Sequence, residues 1–331
     1  MKNFFLPILV LGCFFVSCEN DDDSSNDELK LITASNTSAK VSYTNLLSSS
    51  PTAQFFTVGG VDADGAYFDS ENDELIIASR TNNRLELYKG LNASAKNNTD
   101  NLSLGFYSTS DFSNPREIAV AGDKVVVTQD QNAGNGNVNK LVVYQKTTAG
   151  FTLLNSYTVN FKTWGIHIDG TTLYAVADLT SDLVVFNDFF SNPSGTISPS
   201  KRVTIQGLVR THGITFSKKD NRMILTDVGS AASSTDGGLI VINNFSNVMA
   251  ATSDLGTISS DNQIRVYGTF SKLGNPVDVA YDDKTEYIYV AERLNGGGQV
   301  LVFTNPTING DVLPISSRVE AGVSSVYLIR K

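Results

Sequence analysis

The chain contains few of the residues that most often ligate metals or attack substrates. It has two cysteines, Cys13 and Cys18, and two histidines, His167 and His212, in 331 residues. Beyond Cys18 it therefore cannot form a disulfide, a cysteine-ligated zinc site or a thiol nucleophile, and a histidine-rich metal centre is also excluded. Lys and Arg (25) are fewer than Asp and Glu (34), which argues against nucleic acid as a partner because phosphate binding needs clustered cations.

Long apolar runs are also scarce, and the longest lies at the N-terminus. Residues 4–16 are mostly apolar and follow Lys2, but the run is too short to cross a bilayer comfortably. A short apolar run after a positive residue is typical of a secretory signal. The sequence therefore predicts a signal segment over residues 1–17.

The letters FVSC at positions 15–18 resemble the lipobox of bacterial lipoproteins, in which a small residue precedes the lipidated cysteine. The resemblance implies lipidation at Cys18 and a protein anchored to the bacterial outer membrane, facing the cell surface or the periplasm. The alternative is an ordinary signal peptide cut nearby. Residues 18–28 hold six acidic and no basic side chains, which predicts a disordered tether and resembles surface-exported lipoproteins of the Bacteroidetes. We expect membrane contact only through this anchor.

A repeat of about fifty residues organises the rest of the chain. Each unit carries an apolar strand that ends in a small or polar residue, a polar turn, and a second alternating strand, as in LIIAS followed by RLELY and MILTD followed by LIVI. Two further short strands precede each pair, so a unit holds four strands. Six such units predict an all-β, six-bladed β-propeller that forms a single domain over residues 29–331.

Three segments of the chain resemble the NHL and related six-bladed propeller repeats. They are NPREIAVAGDKVVVTQD, THGITFSKKDNRMILTD and NPVDVAYDDKTEYIYVAERLNGGGQVLVF. The resemblance covers about residues 29–331 and implies the fold, which many different activities share.

The chain begins in the middle of a repeat unit. LITASNTSAKVSY (31–43) supplies the second and third strands of a blade, AQFFTV supplies the fourth, and the first is SVYLI (325–329) near the C-terminus. We therefore expect the ring to close by combining both termini in the sixth blade, which removes the open edges of the sheet.

The candidate site follows from the alternating direction of the four blade strands, named A to D from the axis outwards. The D-to-A connections and the B-to-C turns must open on one face, and the residues that start strand A lie nearest the axis. Side chains at these equivalent positions differ between blades, as a ligand site or drift on a solvated rim would produce. The predicted ligand-binding residues are Arg80, Arg116, Glu117, Trp164, Asp178, His212, Asp227, Asp278 and Arg293.

Each of these side chains also has a structural interpretation. Trp164, the only tryptophan, could stack on a sugar or peptide ring or could plug the channel. His212 could act as a general base or could bond to a neighbouring blade. Asp178 and Asp227 end strand B, where a carboxylate commonly accepts backbone N–H bonds across a tight turn, and His167 is expected to be structural.

No complete catalytic motif is present. Two functions stay open beside a purely structural scaffold in an envelope complex. The first is a monomeric binding module without a cofactor, which takes a glycan, a peptide or an envelope protein in the central funnel. The second is a hydrolase or lyase that resembles the six-bladed lactonases, with a divalent ion such as calcium near Asp64, Glu117 and Asp278 and with His212 as its base. Long loops at 129–140 and 227–238 lie on the predicted site face, and residues 243–263 lie on the opposite face.

Overall fold

The computed structural model describes residues 27–331. The predicted signal segment, the lipidation site at Cys18 and most of the acidic tether lie outside the described residues. Within residues 27–331 no helix is long and apolar enough to cross a bilayer.

The described chain is a ring of six antiparallel sheets, which we call blades 1 to 6. The first three strands belong to blade 6: β1 (Leu29–Ser35), β2 (Lys40–Asn45) and β3 (Gln54–Thr57). Blade 1 follows, with β4 (Ala63–Asp69), β5 (Glu74–Ser79), β6 (Arg84–Lys89) and β7 (Ser103–Tyr107). Blade 2 contains β8 (Pro115–Ala121), β9 (Lys124–Gln129), β10 (Asn139–Lys146) and β11 (Phe151–Val159).

The next three blades repeat this order of strands. Blade 3 begins with β12 (Thr163–Asp169), β13 (Thr172–Ala177) and β14 (Asp182–Phe186). Its chain then passes through the short β15 (Gly195–Thr196) and ends with β16 (Lys201–Ile205). Blade 4 contains β17 (Thr211–Ser217), β18 (Arg222–Asp227), β19 (Gly238–Ile242) and β21 (Ile264–Tyr267). Between β19 and β21 the chain passes through the short β20 (Thr257–Ile258), which joins the sheet of blade 3. Blade 5 contains β22 (Pro276–Asp282), β23 (Tyr287–Glu292), β24 (Gln299–Thr304) and β25 (Ser316–Val319).

The last strand, β26 (Val323–Arg330), completes blade 6 as its innermost strand. It pairs antiparallel with β1, from Leu29 opposite Arg330 to Ser35 opposite Val323. The predicted six-bladed propeller, closed by strands from both termini, is therefore confirmed.

The inner strands of all six blades pack around the axis, and the core lies between neighbouring blades. Strands in the middle of a blade are buried on both faces, which explains continuous apolar runs such as Val125, Val126 and Val127, all fully buried. Between blades 4 and 5, for example, Ile224 and Val241 pack with Val290. Each fully buried side chain of this size stabilises the ring by roughly 1.5–3 kcal/mol.

Several short elements lie outside the four-strand pattern that the sequence predicts. Strands β15 and β20 pair in parallel with β11 and β16 and give blades 2 and 3 a fifth strand. Two seven-residue helices, α1 (Leu91–Asn97) and α2 (Phe245–Ala251), lie in C–D connections. Four single-turn 3₁₀ segments are at Ala133–Asn135, Phe189–Ser191, Ser260–Asn262 and Asn295–Gly297.

Candidate functional site

The two faces of the ring are distinguished by their loops. In every blade, the backbone N–H just after strand B donates to a carbonyl in the connection that leads into strand A. These bonds are 2.8–3.1 Å long and come from Asn36, Arg80, Asp130, Asp178, Val228 and Arg293. The B–C turns and D–A connections therefore share one face, which we call the B–C face. The A–B turns and C–D connections form the opposite A–B face.

The start of each inner strand is bulged, and this frees the side chains that line the axis. In blades 1 to 4 the ladder skips two residues, between Ala63 and Ala66 in blade 1 and at the equivalent positions of the others. Backbone N–H groups that the bulge releases from the ladder donate to threonine hydroxyls of strand B. The N–H of Glu117 donates to Thr128 Oγ1 at 2.9 Å, and that of Gly213 donates to Thr226 Oγ1 at 2.8 Å. Because bulges re-aim side chains, the residues skipped by the ladder can face the axis.

The axis is tightly packed at the level of these bulges. A Cβ added at Gly165 would overlap the carbonyl oxygen of His212, and one added at Gly213 would lie 2.8 Å from the Cα of Asp278. Only glycine permits this close approach of neighbouring strands. The central channel is therefore constricted here.

Trp164 and His212 close the channel on the B–C face. Their rings stack with centroids 3.7 Å apart and planes 7° from parallel, and their residues are 8% and 2% exposed. The guanidinium of Arg116, from the preceding blade, lies 4.2 Å from the centroid of the Trp164 ring. Since blade 2 and blade 4 flank blade 3, both faces of the indole are covered, which corresponds to the plug interpretation of Trp164.

Asp178, at the B–C turn of blade 3, fixes the imidazole of His212 through a hydrogen bond. Its carboxylate accepts from His212 Nε2 at 3.0 Å, Arg210 Nε at 2.7 Å and Lys162 Nζ at 3.0 Å. Burial tends to raise the pKa of Asp178, but these donors outweigh it and hold that pKa well below its usual value. Burial lowers the pKa of His212 to about 4, so its imidazole is neutral at pH 7, and its Nδ1 has no partner among the described residues.

Five consecutive blades each place one cation around this plug. We call this set the cationic ring: Arg80, Arg116, Lys162, Arg210 and Arg293. The first four of these cations pair with carboxylates, which several of them share. Asp64 lies 3.4 Å from Arg80 and 3.6 Å from Arg116.

The same sharing continues around the ring. Asp130 lies 2.9 Å from Arg116 and 3.7 Å from Lys162, and Asp178 bonds to both Lys162 and Arg210. One oxygen each of Asp64 and Asp130 has no hydrogen-bond partner in the part of the chain that the structure describes.

Arg293 differs from the other members of the cationic ring. No carboxylate in residues 27–331 forms an ion pair with it. With the Asn36 amide oriented by its hydrogen bonds, the amide oxygen accepts from Nη2, Nε and Nη1 of Arg293 at 2.7, 3.0 and 3.1 Å. Burial, together with Arg116 and Arg80, lowers the pKa of Arg293 against the attraction of Asp64. The ring thus contains one half-buried cation whose charge is not directly matched.

Asp227 stabilises the turn structure of its own blade. It accepts from the backbone N–H groups of Val209 and Arg210 and from the hydroxyl of Tyr267 at 2.9 Å. Glu292, at the equivalent position of blade 5, accepts backbone N–H bonds in the same manner, for example from Asn275 at 2.8 Å. These contacts fit the turn-closing interpretation of Asp227.

Glu117 and Asp278 lie beyond the constriction, on the side of the A–B face. Both carboxyls line a cavity of about 720 Å³, which is the central channel and opens between the A–B turns. Burial, the charge of Asp278 and that of Asp64 raise the pKa of Glu117 well above its usual value. Burial also raises the pKa of Asp278 to about 7.

Apart from Asp227, which stabilises the turn of its own blade, the structure divides the predicted site residues between two places. The B–C face holds the cationic ring with Trp164, Asp178 and His212, whereas Glu117 and Asp278 belong to the channel on the other face. Lys162 and Arg210, which were not among the predicted residues, complete the cationic ring. Within the described residues no group of three or more His, Cys, Asp or Glu side chains is arranged to hold a metal ion.

Comparison with known proteins gives structural likeness only. No protein-family profile and no curated protein matches the chain. A structure of a nidogen/laminin complex contains a similar chain, with a TM-score of 0.61 and 11% identity over 91% of this chain and 98% of that one. A putative 6-phosphogluconolactonase from Bacteroides uniformis ATCC 8492 has a TM-score of 0.57 and 14% identity, over 88% of this chain and 83% of that one.

A third similar structure is a protein of unknown function from Bacteroides caccae, with a TM-score of 0.54 and 8% identity over 92% of this chain and 100% of that one. At identities this low, likeness shows the propeller fold and carries no activity or ligand with it.

Proposed function

We propose that this propeller is a non-enzymatic binding protein whose cationic ring recognises an acidic glycan, peptide or partner protein. The unmatched Arg293 carries the proposal. It is half-buried beside Arg80 and Arg116, and its guanidinium bonds to the neutral Asn36 amide. Asp64 and Asp62 are near enough to attract it but form no ion pair with it. A carboxylate or sulfate from a ligand would supply the missing charge through the forked donors of arginine.

The arrangement of His212 supports binding rather than catalysis on this face. Its imidazole is buried under Trp164, its Nε2 already bonds to Asp178, and its pKa of about 4 makes it a weak base. A general base must reach the substrate proton, and this ring cannot do so without moving the plug. The protein would work as a monomer and needs no cofactor for this role.

Attachment to the envelope through a lipid on Cys18 would present the ring to the outside. The described chain starts at the A–B face, where Asp27 pairs with Lys284 of an A–B turn at 3.3 Å and Glu28 bonds to Lys331. Only a short stretch separates Cys18 from Asp27. A lipid at Cys18 would therefore hold the A–B face toward the membrane, with the cationic ring pointing away. We propose on this basis that the protein is an NHL-like propeller lipoprotein of the Bacteroidetes outer membrane.

Binding to defined polymers tests the proposal. The full chain is titrated with polygalacturonate and poly-glutamate as acidic probes and with dextran as a neutral one. We expect binding to the acidic probes that weakens with added salt, and at least about tenfold weaker binding by Arg293→Gln, which corresponds to roughly 1.4 kcal/mol. Arg202→Gln is the matched control, because Arg202 pairs with Asp182 outside the ring. Equal binding of dextran, or unchanged binding by Arg293→Gln, would contradict the proposal.

A metal-dependent hydrolase or lyase is the second candidate, and the channel carboxyls of Glu117 and Asp278 favour it. A structural neighbour is described as a putative 6-phosphogluconolactonase, although at 14% identity. This candidate requires Ca²⁺-stimulated lactone hydrolysis that Glu117→Ala and Asp278→Ala abolish. Lactone hydrolysis that persists in both variants, or that does not respond to Ca²⁺, removes it.

A further inference from the structure

The central channel on the A–B face ends at two carboxyls without a counter-charge. Its cavity of about 720 Å³ is closed at the far end by the constriction and the Trp164–His212 plug. Glu117 and Asp278 lie at this closed end, and they are 8% and 6% exposed. No ion pair joins either carboxyl to a cation within residues 27–331.

The hydrogen bonds of the two carboxyls leave one oxygen for a ligand. Asp278 uses both oxygens, which accept from the backbone N–H groups of Val279 at 2.8 Å and Val326 at 2.7 Å. One oxygen of Glu117 accepts from Ile118 N at 2.8 Å. The second oxygen of Glu117 has no hydrogen-bond partner among the described residues. Glu117 lines the cavity, so this more than nine-tenths buried side chain is directed into the channel.

The channel walls cannot neutralise the two carboxyls. They are mainly apolar and aromatic, and include Tyr67 and Tyr327, whose rings lie 5.0 Å apart, and Phe216. Burial raises the pKa of Tyr281 well above its usual value, so its hydroxyl is uncharged at pH 7. Burial also lowers the pKa of His167 to about 4, so its imidazole is neutral. Apart from the charged groups at its open rim, the channel wall is therefore neutral at pH 7.

Charged groups near Glu117 and Asp278 lie in two places, across the constriction and at the open rim of the channel. Asp64, on the other side of the constriction, adds negative charge and helps to raise both pKa values. At the open rim, Lys218 and Lys219 each form an ion pair with another carboxylate. Lys218 lies 3.5 Å from Asp169 and Lys219 lies 3.3 Å from Asp283. Neither rim lysine forms an ion pair with the carboxyls at the closed end.

We propose that this channel is a second binding site, which takes an alkyl-ammonium or alkyl-guanidinium group of a small ligand or side chain. The cationic head would reach the free oxygen of Glu117 and the charge of Asp278, while the alkyl part would pack on the apolar wall. Aromatic faces add to the attraction for a cation. The site is independent of the cationic ring, because it opens on the opposite face and prefers the opposite charge.

Cation binding at this site is linked to proton release. Near neutral pH the pair of carboxyls retains protons, because its raised pKa values are those of buried acids without a cation. A bound ammonium group favours the ionised form and expels a proton. The affinity for an amine should therefore rise with pH across the range in which the pair ionises, as long as the amine itself stays charged.

Calorimetry with a matched pair of probes tests the site. The full chain is titrated with n-hexylamine and with n-hexanol at about pH 6 and about pH 8, in two buffers of different ionisation enthalpy. We expect hexylamine to bind more tightly at the higher pH and to release protons, hexanol to bind at least about tenfold more weakly, and Glu117→Gln to remove the preference for the amine. Glu117→Gln preserves the side-chain shape, and its melting temperature verifies that it folds.

Asp283→Asn is the control variant, because it removes a carboxylate from the rim and leaves the pair intact; it should change hexylamine affinity little. Equal binding of hexanol and hexylamine, absence of proton release, or full hexylamine affinity in Glu117→Gln overturns the proposal. Saturable Ca²⁺ binding that Glu117→Gln abolishes, with no hexylamine binding, also overturns it and assigns the channel to a metal instead. Loss of polymer binding by Arg293→Gln does not affect this test, so the two sites fail or succeed separately.

Discussion

The indole of Trp164 lies flat on the imidazole of His212, with ring centroids 3.7 Å apart, and this stack seals the central channel on the B–C face. Arg116 covers the other face of the indole. The stack separates the cationic ring and its paired carboxylates from the channel that holds Glu117 and Asp278. Both candidate sites depend on this separation.

Removal of the indole should destabilise the whole ring. Trp164 is 8% exposed and packs against residues of two other blades. We expect Trp164→Ala to lower the free energy of unfolding by about 3–5 kcal/mol, because a cavity of this size cannot collapse between rigid strands. Trp164→Phe, which retains a ring on His212, should lose less. Urea denaturation followed by circular dichroism measures both, and equal stability of Trp164→Ala and wild type would show that the stack is not structural.

Acid should destabilise the fold through His212. Its pKa is lowered from 6.5 to about 4 in the folded state, so the unfolded chain binds more protons between these pH values. Above the pKa of the unfolded chain, neutral His212 contributes its full share of the free energy of unfolding. That contribution, roughly 3 kcal/mol for a shift of this size, is lost as the pH falls through the pKa of the folded state.

His212→Phe retains a ring for the stack and removes the titrating group. The fall in the free energy of unfolding between about pH 7 and about pH 4 should be smaller in this variant than in the wild type. His167, whose pKa is also lowered to about 4, provides a comparison, since His167→Phe should reduce the same fall without touching the plug. An unchanged pH profile in His212→Phe would mean that this imidazole is not buried in neutral form.

The constriction depends on Gly165. A Cβ at this position would overlap the His212 carbonyl, which belongs to the backbone and cannot rotate away. We expect Gly165→Ala to cost about 1–3 kcal/mol or more, as overpacking of a dense core does. Gly150→Ala is the control, because a Cβ there meets nothing within 4 Å. Similar melting temperatures for the two variants would refute the close approach of blades 3 and 4.

Closure of the ring by β26 predicts cooperative loss of the fold. This strand supplies the innermost position of blade 6, pairs with β1 along its length, and brings Arg330 to Asp282 of blade 5, with Nε 2.9 Å from Oδ1. Deletion of residues 323–331 should therefore unfold the entire domain rather than shorten a frayed end. A truncated chain that melts near the wild-type temperature would contradict this closure.

Sequence patterns predicted the fold because the strand repeat is strong. Each blade alternates apolar residues with turn residues in a repeat of about fifty residues, and the three strands at the N-terminus lack the first strand that the C-terminus supplies. The fifth strands β15 and β20 were missed because they have two residues each and pair through backbone bonds that leave no side-chain pattern. Helices α1 and α2 were missed because seven residues show little periodicity.

The candidate site was only partly predictable. Position along the repeat brought Arg80, Arg116 and Arg293 to one face, and the same alignment could have found Lys162 and Arg210, which stand two residues before Trp164 and His212. The bulge at the start of strand A could not be predicted, because it depends on how closely neighbouring strands pack. Glu117 is one of the residues that the ladder skips, whereas Asp278 stays in the ladder opposite Ala291. Both line the channel on the other side of the constriction, away from the face on which they were expected.

Emission from Trp164 gives the most direct test of acidic-ligand binding at the cationic ring. It is the only tryptophan of the chain and lies under Arg116, so its fluorescence reports changes next to the cationic ring. We predict that polygalacturonate changes the emission saturably, that added salt reverses the change, and that Arg293→Gln weakens the response at least about tenfold, whereas Arg202→Gln does not. Binding of polygalacturonate with unaltered Trp164 emission and equal affinity in Arg293→Gln would contradict a binding role for the cationic ring.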